Sequence, residues 1–290
     1  VNAPAIRQYR APRTLAAAVE ALRSGTALIV AGGTDVMPQL RAGKLRWPAG
    51  LVNINSVAEL RGISEQDGVL RIGALTTIAA LHGSATLRER CGLLWQACDA
   101  FASEQIRNAA TLGGNLCNAS PAGDSLVPLL ALGARVVLVS KAGAALEQRA
   151  LPLEEFFTGP GRTLRTPREL LAWVDLPLPP AGYRSRFLKF GTRPALDIST
   201  ISLGVGALVD EGRWTQVRIA LGAVAPTPIR ARAAEAALEG RPLGAAAIDV
   251  ALEAVATDIH PISDVRASEW YRRELVRNLL RRVLTRVCER

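Results

Sequence analysis

Two glycine pairs stand where chemistry is most readily built. The first lies in Ile29-Val30-Ala31-Gly32-Gly33-Thr34-Asp35. An apolar stretch there ends in two glycines, so several backbone N–H groups are left without side-chain obstruction. Such a turn ahead of a helix forms an anion nest suited to phosphate. Thr34 adds a hydroxyl, and Asp35 can orient backbone donors or a ribose. Taken alone, Gly-Gly-Thr-Asp is more often an ordinary strand-to-helix turn. It fits neither GxGxxG nor GxxxxGK[ST], so neither a Rossmann fingerprint nor a P-loop is supported. Gly204-Val205-Gly206 also lacks a third glycine and lies inside a strand pattern.

The second pair lies in the segment from Thr111 to Asp124, which is dense in small and amide residues. Gly113-Gly114 permits close backbone approach. Asn115, Asn118 and Ser120 offer amides and a hydroxyl. Asp124 sits at the mouth of the next helix and reads as its N-cap. Two Gly-Gly loops could together grip both phosphates of a dinucleotide. The alternative is a glycine-rich packing loop with a cap. From the residues alone, the reading stops at a phosphate-containing ligand.

The elements that must position these loops follow from periodicity and breakers. Thr14 is expected to cap a helix over 15–23, stopped by Ser24-Gly25. A short buried strand over 27–30 feeds the first loop, and a helix over 36–41 leaves it. Further strands are expected at 51–54 and 69–72, with helices at 76–82 and 92–104. After the second loop come a helix at 125–132 and strands at 134–140 and 169–176. Pro177-Leu178-Pro179-Pro180 is the clearest linker, because proline fixes φ and removes a donor. Strands near 186–190, 202–209 and 215–221 follow, then helices at 231–238, 245–256 and 268–287. The last is amphipathic and Arg-rich, and its arginines read as a solvated face or a docking face. The pattern is α+β, with a cofactor-type half before Pro177 and a smaller α/β half after it.

Composition bounds the class. The 290 residues are 49% hydrophobic, enough for real cores and about two domains. The net charge of +9 comes nearly all from arginine, with only Lys44, Lys141 and Lys189 as lysines. No basic run carries interleaved aromatics, so nucleic acid is a weak reading. The cysteines at 91, 98, 117 and 288 show no CxxC spacing, and no metal site is expected. Without a secretory signal they read as reduced, cytoplasmic thiols. Residues 1–13 show no apolar signal core, and no apolar stretch is long enough for a transmembrane helix.

Val30 to Asp35, with Thr111-Leu112-Gly113-Gly114-Asn115 and Asn118 to Asp124, resembles the FAD-binding medium subunit of molybdenum hydroxylases. This is the family of xanthine dehydrogenases and aerobic carbon monoxide dehydrogenases. Leu51-Val52-Asn53-Ile54, Ile72 to Thr77 and Ser268 to Arg273 extend the resemblance over essentially the whole chain. It implies a two-lobed FAD-binding domain of vanillyl-alcohol-oxidase (PCMH) type over 1–176, with lobes of about 1–56 and 57–176. A C-terminal domain of the CO dehydrogenase flavoprotein type would follow over 177–290.

Carried over by position, Val30, Ala31, Gly32, Gly33, Thr34 and Asp35 would hold the pyrophosphate. Thr111, Gly114, Asn115 and Asn118 would wrap the phosphates and sugar chain, with Gly123 and Asp124 beside them. Phe101, Leu170 and Leu171 would pack near the cofactor, and Lys189 would reach it from the C-terminal domain, with Asp197 in the same loop. The resemblance implies noncovalent FAD, no catalytic side chain and no metal ligand in this chain. [2Fe–2S] clusters would sit in a small iron–sulfur subunit and the molybdenum cofactor in a large subunit. The acceptor would be NAD, a quinone or O2. A stand-alone flavin oxidoreductase of the same fold is the alternative.

Overall fold

The computed structural model describes residues 6–143, 145–193 and 196–289. Residues 1–5 of the N-terminal stretch lie outside them. So do residues 194 and 195 of the loop before Asp197.

The first lobe runs β1 (Gln8–Arg10), α1 (Leu15–Ala21), β2 (Ala27–Val30), α2 (Val36–Arg41) and β3 (Gly50–Asn53). Its sheet is all parallel, in the order β1-β3-β2. Thr14 caps α1 as expected, its Oγ1 accepting from Ala17 N at 3.2 Å. Leu15, Ala18, Val19 and Leu22 recur at helical spacing and are buried. β2 is half-buried along its length, not enclosed, so its carboxyl end stays open to a ligand.

The second lobe begins with β4 (Ile63–Gln66) and β5 (Val69–Gly73). Six helices follow: α3 (Ile78–His82), α4 (Ala85–Arg90), α5 (Gly92–Asp99), α6 (Glu104–Ala109), α7 (Leu112–Asn118) and α8 (Leu126–Ala131). Then come β6 (Arg135–Ala142), β7 (Ala145–Pro152), α9 (Leu153–Phe156), the small hairpin β8 (Phe157–Gly159) and β9 (Arg162–Thr163), and β10 (Leu170–Pro177). The sheet order is β4-β5-β10-β6-β7, antiparallel throughout. The helix expected over 92–104 is broken. Ala102 takes φ +37, and Ser103 caps a new helix by accepting from Ile106 N.

The C-terminal part is β11 (Arg184–Phe190), β12 (Ile201–Asp210), β13 (Arg213–Gly222), β14 (Ile229–Arg230), α10 (Arg232–Leu238), α11 (Ala245–Asp258) and α12 (Glu269–Cys288). Its sheet is antiparallel in chain order. Leu275, Val276, Leu280, Val283, Leu284 and Val287 turn one face of α12 into its core. Arg272 departs from the solvated face expected for this helix. It is buried, and its Nη1 donates to Thr200 O and to Ala223 O at 2.7 Å, while Nη2 meets Asp264 Oδ1 at 2.8 Å.

A buried ion pair fixes the start of α10. Glu235 accepts from Arg230 Nη2 at 2.6 Å and from Ile219 N at 2.8 Å. Removing one partner of a buried pair strands the other charge away from water. Glu235→Ala should therefore cost about 3–5 kcal/mol, read as a lower denaturant midpoint. A wild-type midpoint would show that Arg230 finds water or another partner.

Candidate functional site

β2 runs at its carboxyl end into Ala31–Asp35, and α2 follows. Open α/β sheets place ligands at the carboxyl ends of their strands. Gly33 takes φ +72, a conformation that glycine adopts without a Cβ penalty. Three of the loop's carbonyls are committed: Gly33 O accepts from Met37 N, Asp35 O from Gln39 N, and Ala31 O from Asn55 Nδ2 at 2.7 Å. The N–H groups of Gly32, Gly33, Thr34 and Asp35 meet no protein acceptor among the described residues. That is a rim with four free donors. Asp35 makes no cap bond to α2, and burial pushes its carboxyl above the ordinary range.

Gly32 is glycine for a further reason. A Cβ there would lie 1.9 Å from Ala109 O and 2.7 Å from Ala109 C. The first loop is thus pressed against the backbone of the second lobe. That backbone is itself pinned, because Ile78 N donates to Ala110 O, Leu112 N to Thr76 O and Gly113 N to Ala74 O, each at 2.9–3.0 Å. Gly113 is equally confined, since its Cβ would meet Ala74 Cβ at 2.6 Å.

The second segment is not the loop expected from its glycines. Thr111 caps α7, and Gly113-Gly114 form its first turn. Thr111 Oγ1 accepts from Gly114 N at 3.1 Å and Thr111 O from Asn115 N at 3.0 Å. The donors expected to face phosphate here are spent inside the protein. Cap-and-glycine sequences read as loops because glycine carries no helical preference of its own; tertiary packing decides.

Between the lobes lies a cavity of about 410 Å³. The structure brings Ala31, Gly32, Gly33, Thr34, Asp35, Phe101, Thr111, Gly114, Asn115, Asn118, Leu170 and Leu171 to its wall. Leu170 belongs to the core shared with the first lobe and Leu171 to that of the second, so the two leucines straddle the seam. Asn118 Oδ1 accepts from Gln39 Nε2 at 3.0 Å, joining α7 to α2. The wall also holds Ala74, Leu75 and Cys117, and Gln39, Gly161 and Arg165, of which the last three lie outside every motif.

Val30, Gly123, Asp124 and Lys189 do not line the cavity. Asp124 is not the cap of α8 either; Ser125 holds that place. The Asp124 carboxylate accepts instead from Lys189 Nζ at 2.6 Å and from Ser199 Oγ at 2.8 Å. Burial raises its pKa, and the Lys189 ammonium works against that rise. Lys189 is held by this pair and by Ala100 O at 3.3 Å, so it ties the C-terminal part to the turn before Phe101. Asp197 folds its own loop. Its carboxylate accepts from Thr192 N–H and O–H and from the N–H of Arg193 and Ile198.

Family models match both halves. One described as an FAD binding domain in molybdopterin dehydrogenase covers residues 5–179, and one described as a CO dehydrogenase flavoprotein C-terminal domain covers 186–287. The chain belongs to this family. It is an oxidoreductase subunit with an FAD-binding domain. It is 36% identical over 280 residues to the xanthine dehydrogenase FAD-binding subunit of Escherichia coli O157:H7, spanning 96% of this chain and 94% of that one. It is 31% identical over 289 residues to the carbon monoxide dehydrogenase medium chain of Afipia carboxidovorans, spanning 99% and 98%. The reconstituted CO dehydrogenase from Oligotropha carboxidovorans superimposes with a TM-score of 0.93 at 30% identity, over 99% of each chain. The cavity's lining fits the family's cofactor: it offers free backbone donors suited to an anion and apolar side chains suited to a ring. Among the described residues, no helix is long and apolar enough to cross a membrane, and no cluster of metal-ligating side chains forms.

Two expectations follow. Gly32→Ala forces the lobes apart and should cost about 1–3 kcal/mol or more, whereas Gly33→Ala meets only Met37 Cγ at 3.4 Å and should cost about 1–2 kcal/mol of left-handed strain. Denaturation without flavin would rank them, and equal losses would mean the Ala109 contact yields easily. The hydrogen bonds from Thr192 hold the Asp197 carboxyl down at about 2. Its stabilisation is complete above the ordinary carboxylate pKa and is lost as pH falls towards 2. Amide exchange at Thr192 and Arg193 should be faster in Asp197→Asn than in wild type at pH 5, with the two converging near pH 2. Equal exchange at pH 5 would remove Asp197 as the loop's anchor.

Proposed function

We propose that this chain is the electron-transfer subunit of a molybdenum hydroxylase complex. It would take electrons from [2Fe–2S] clusters of a small subunit, fed by a molybdenum-bearing large subunit. It would pass them to an external acceptor such as NAD, a quinone or O2. The observation that carries the reading is the cavity at the lobe seam, where unpaired N–H groups of Gly32 to Asp35 stand opposite an apolar floor. The naming of relatives as medium chains supports the rest. We further infer lobes of about 1–56 and 57–176 and a C-terminal domain over 177–290. Three cores support the count of three parts; the first is completed by Val57, Leu60, Leu75, Val139, Leu170 and Ala172 from the second lobe, and Phe187 and Ala220 reach from the last part into the middle one.

Bound noncovalently, FAD supplies the redox chemistry, since the protein contributes binding and electronics. The chain's own tasks are to hold, orient and dry the site. The Gly32–Asp35 N–H groups donate to the anionic pyrophosphate, a contact strengthened by charge. Val30 sets the end of the strand beneath them. Asn115 and Asn118 present amides along one wall of α7, and Asp35 can accept from a sugar hydroxyl. Phe101, Leu170 and Leu171 exclude water beside the ring system. Asp124, Gly123 and Lys189 act one layer out, fixing Phe101 through Ala100. Four free thiols fit a reducing cytoplasm.

The purified full chain should show flavin absorption, and acid should release FAD stoichiometrically. Mixing with the two partner subunits and a hydroxylase substrate should bleach that absorption. A chain that binds no FAD on reconstitution would remove the reading, and FAD that stays oxidised in the assembled complex would remove the relay alone.

A further inference from the structure

Only two charged side chains line the cavity among the described residues, Asp35 and Arg165. No motif singled out Arg165, and it is not needed to build the loops described above. Its surroundings are unusual. The guanidinium is half-buried and takes part in no ion pair among the described residues. Its Nη1 is fixed by two backbone carbonyls, Thr166 O at 2.9 Å and Glu169 O at 2.8 Å. The nearby carboxylate of Glu169 is already engaged. It accepts from Arg149 Nε at 2.5 Å and Nη2 at 2.9 Å, and from Thr166 N at 2.7 Å. Nε and Nη2 of Arg165 therefore keep donors without a protein acceptor among the described residues. Asp35 is no counter-ion either, because burial alone perturbs its carboxyl and the two lie in no ion pair.

A positive charge that is fixed, half-buried and unneutralised on the wall of an anion-binding cavity attracts an anion. Guanidinium forks match phosphate oxygens and form the stronger, charge-assisted hydrogen bonds. Holding Nη1 beforehand reduces the ordering cost of binding. The purely local alternative is that Arg165 only braces the 164–169 turn through Nη1.

We propose that Arg165 is a cofactor-binding residue that gives the phosphate-bearing part of the dinucleotide its cationic side-chain contact. It supplements the neutral N–H rim of Gly32 to Asp35. This rests on the FAD reading above. It predicts that the contribution of Arg165 to affinity depends on the ligand's phosphates and not on its ring.

The test uses the full chain stripped of flavin, titrated separately with FAD and with riboflavin, which lacks phosphate. Arg165→Gln should weaken FAD by about tenfold or more, as loss of a charge-assisted contact does, and leave riboflavin unchanged. Arg165→Lys should recover part of the FAD affinity. The salt dependence of FAD binding should flatten in Arg165→Gln. An unchanged FAD affinity in Arg165→Gln overturns the assignment while leaving the FAD reading intact. A parallel loss of FAD and riboflavin overturns it in favour of the turn-bracing role. A wild-type chain that binds riboflavin but gains nothing from the phosphates also overturns it. Wild type binding neither flavin removes the FAD reading itself, and the assignment with it.

Discussion

The site depends on one close approach, that of Gly32 to the carbonyl of Ala109. Two lobes with different sheets, one parallel and one antiparallel, meet there with no room for a methyl group. The approach is possible because the 109–113 backbone is laced to 74–78 by hydrogen bonds. It also requires Asn55 to draw the Ala31 carbonyl towards its own amide. Loosening either side would widen the seam, and the free donors of the first loop would face bulk water instead of an enclosed wall. Interiors are close-packed, so such a contact has little room to adjust.

The C-terminal part secures the same seam from outside. Lys189 reaches from β11 to Asp124 and to Ala100 O, and Ser199 binds the other oxygen of Asp124. Gln96 Oε1 accepts from Phe187 N at 2.9 Å, tying α5 to β11. Arg272 in turn bridges Thr200 just before β12, the turn after β13 and the 264 loop. Buried polar groups that are hydrogen-bonded in this way rigidify their surroundings, although Arg272 keeps Nε buried without a partner. Of these ties the one from Lys189 to Ala100 O reaches the turn that carries Phe101, so the C-terminal part supports the cavity wall without Lys189 lining it.

Much of this was legible from the sequence. The strand at 27–30 and the helix at 36–41 follow from an apolar run, a double glycine and a helical register, and each lies where the pattern put it. The amphipathic face of α12 was equally plain. What could not be read were features decided by distant partners. Gly113-Gly114 looks like a loop until Ala74 and Thr76 are known to hold its ends. Asp124 looks like a cap until Lys189, 65 residues away, claims its carboxylate. Edge strands such as β7 expose most of their residues, so they carry no strong apolar alternation to read. Arg165 was one arginine among many, and its isolation from carboxylates exists only in three dimensions.

The two glycine pairs therefore divide their labour differently from what their likeness suggests. Both permit close backbone contact, but only the first leaves donors open. In α7 the Thr111 side chain and the 74–76 carbonyls consume the N–H groups of residues 112–114, so the helix contributes shape and its amide side chains. Of the two glycine segments, the free backbone donors on the cavity wall therefore lie on one side, at Gly32–Asp35. A doubly charged pyrophosphate held from one side by neutral donors, with the buried Asp35 carboxyl close by in the same rim, is electrostatically under-compensated. Burial favours the protonated form of Asp35, which removes part of the repulsion. On the proposed reading the remaining imbalance calls for a cation on the cavity wall, and among the described residues that wall holds one guanidinium, that of Arg165.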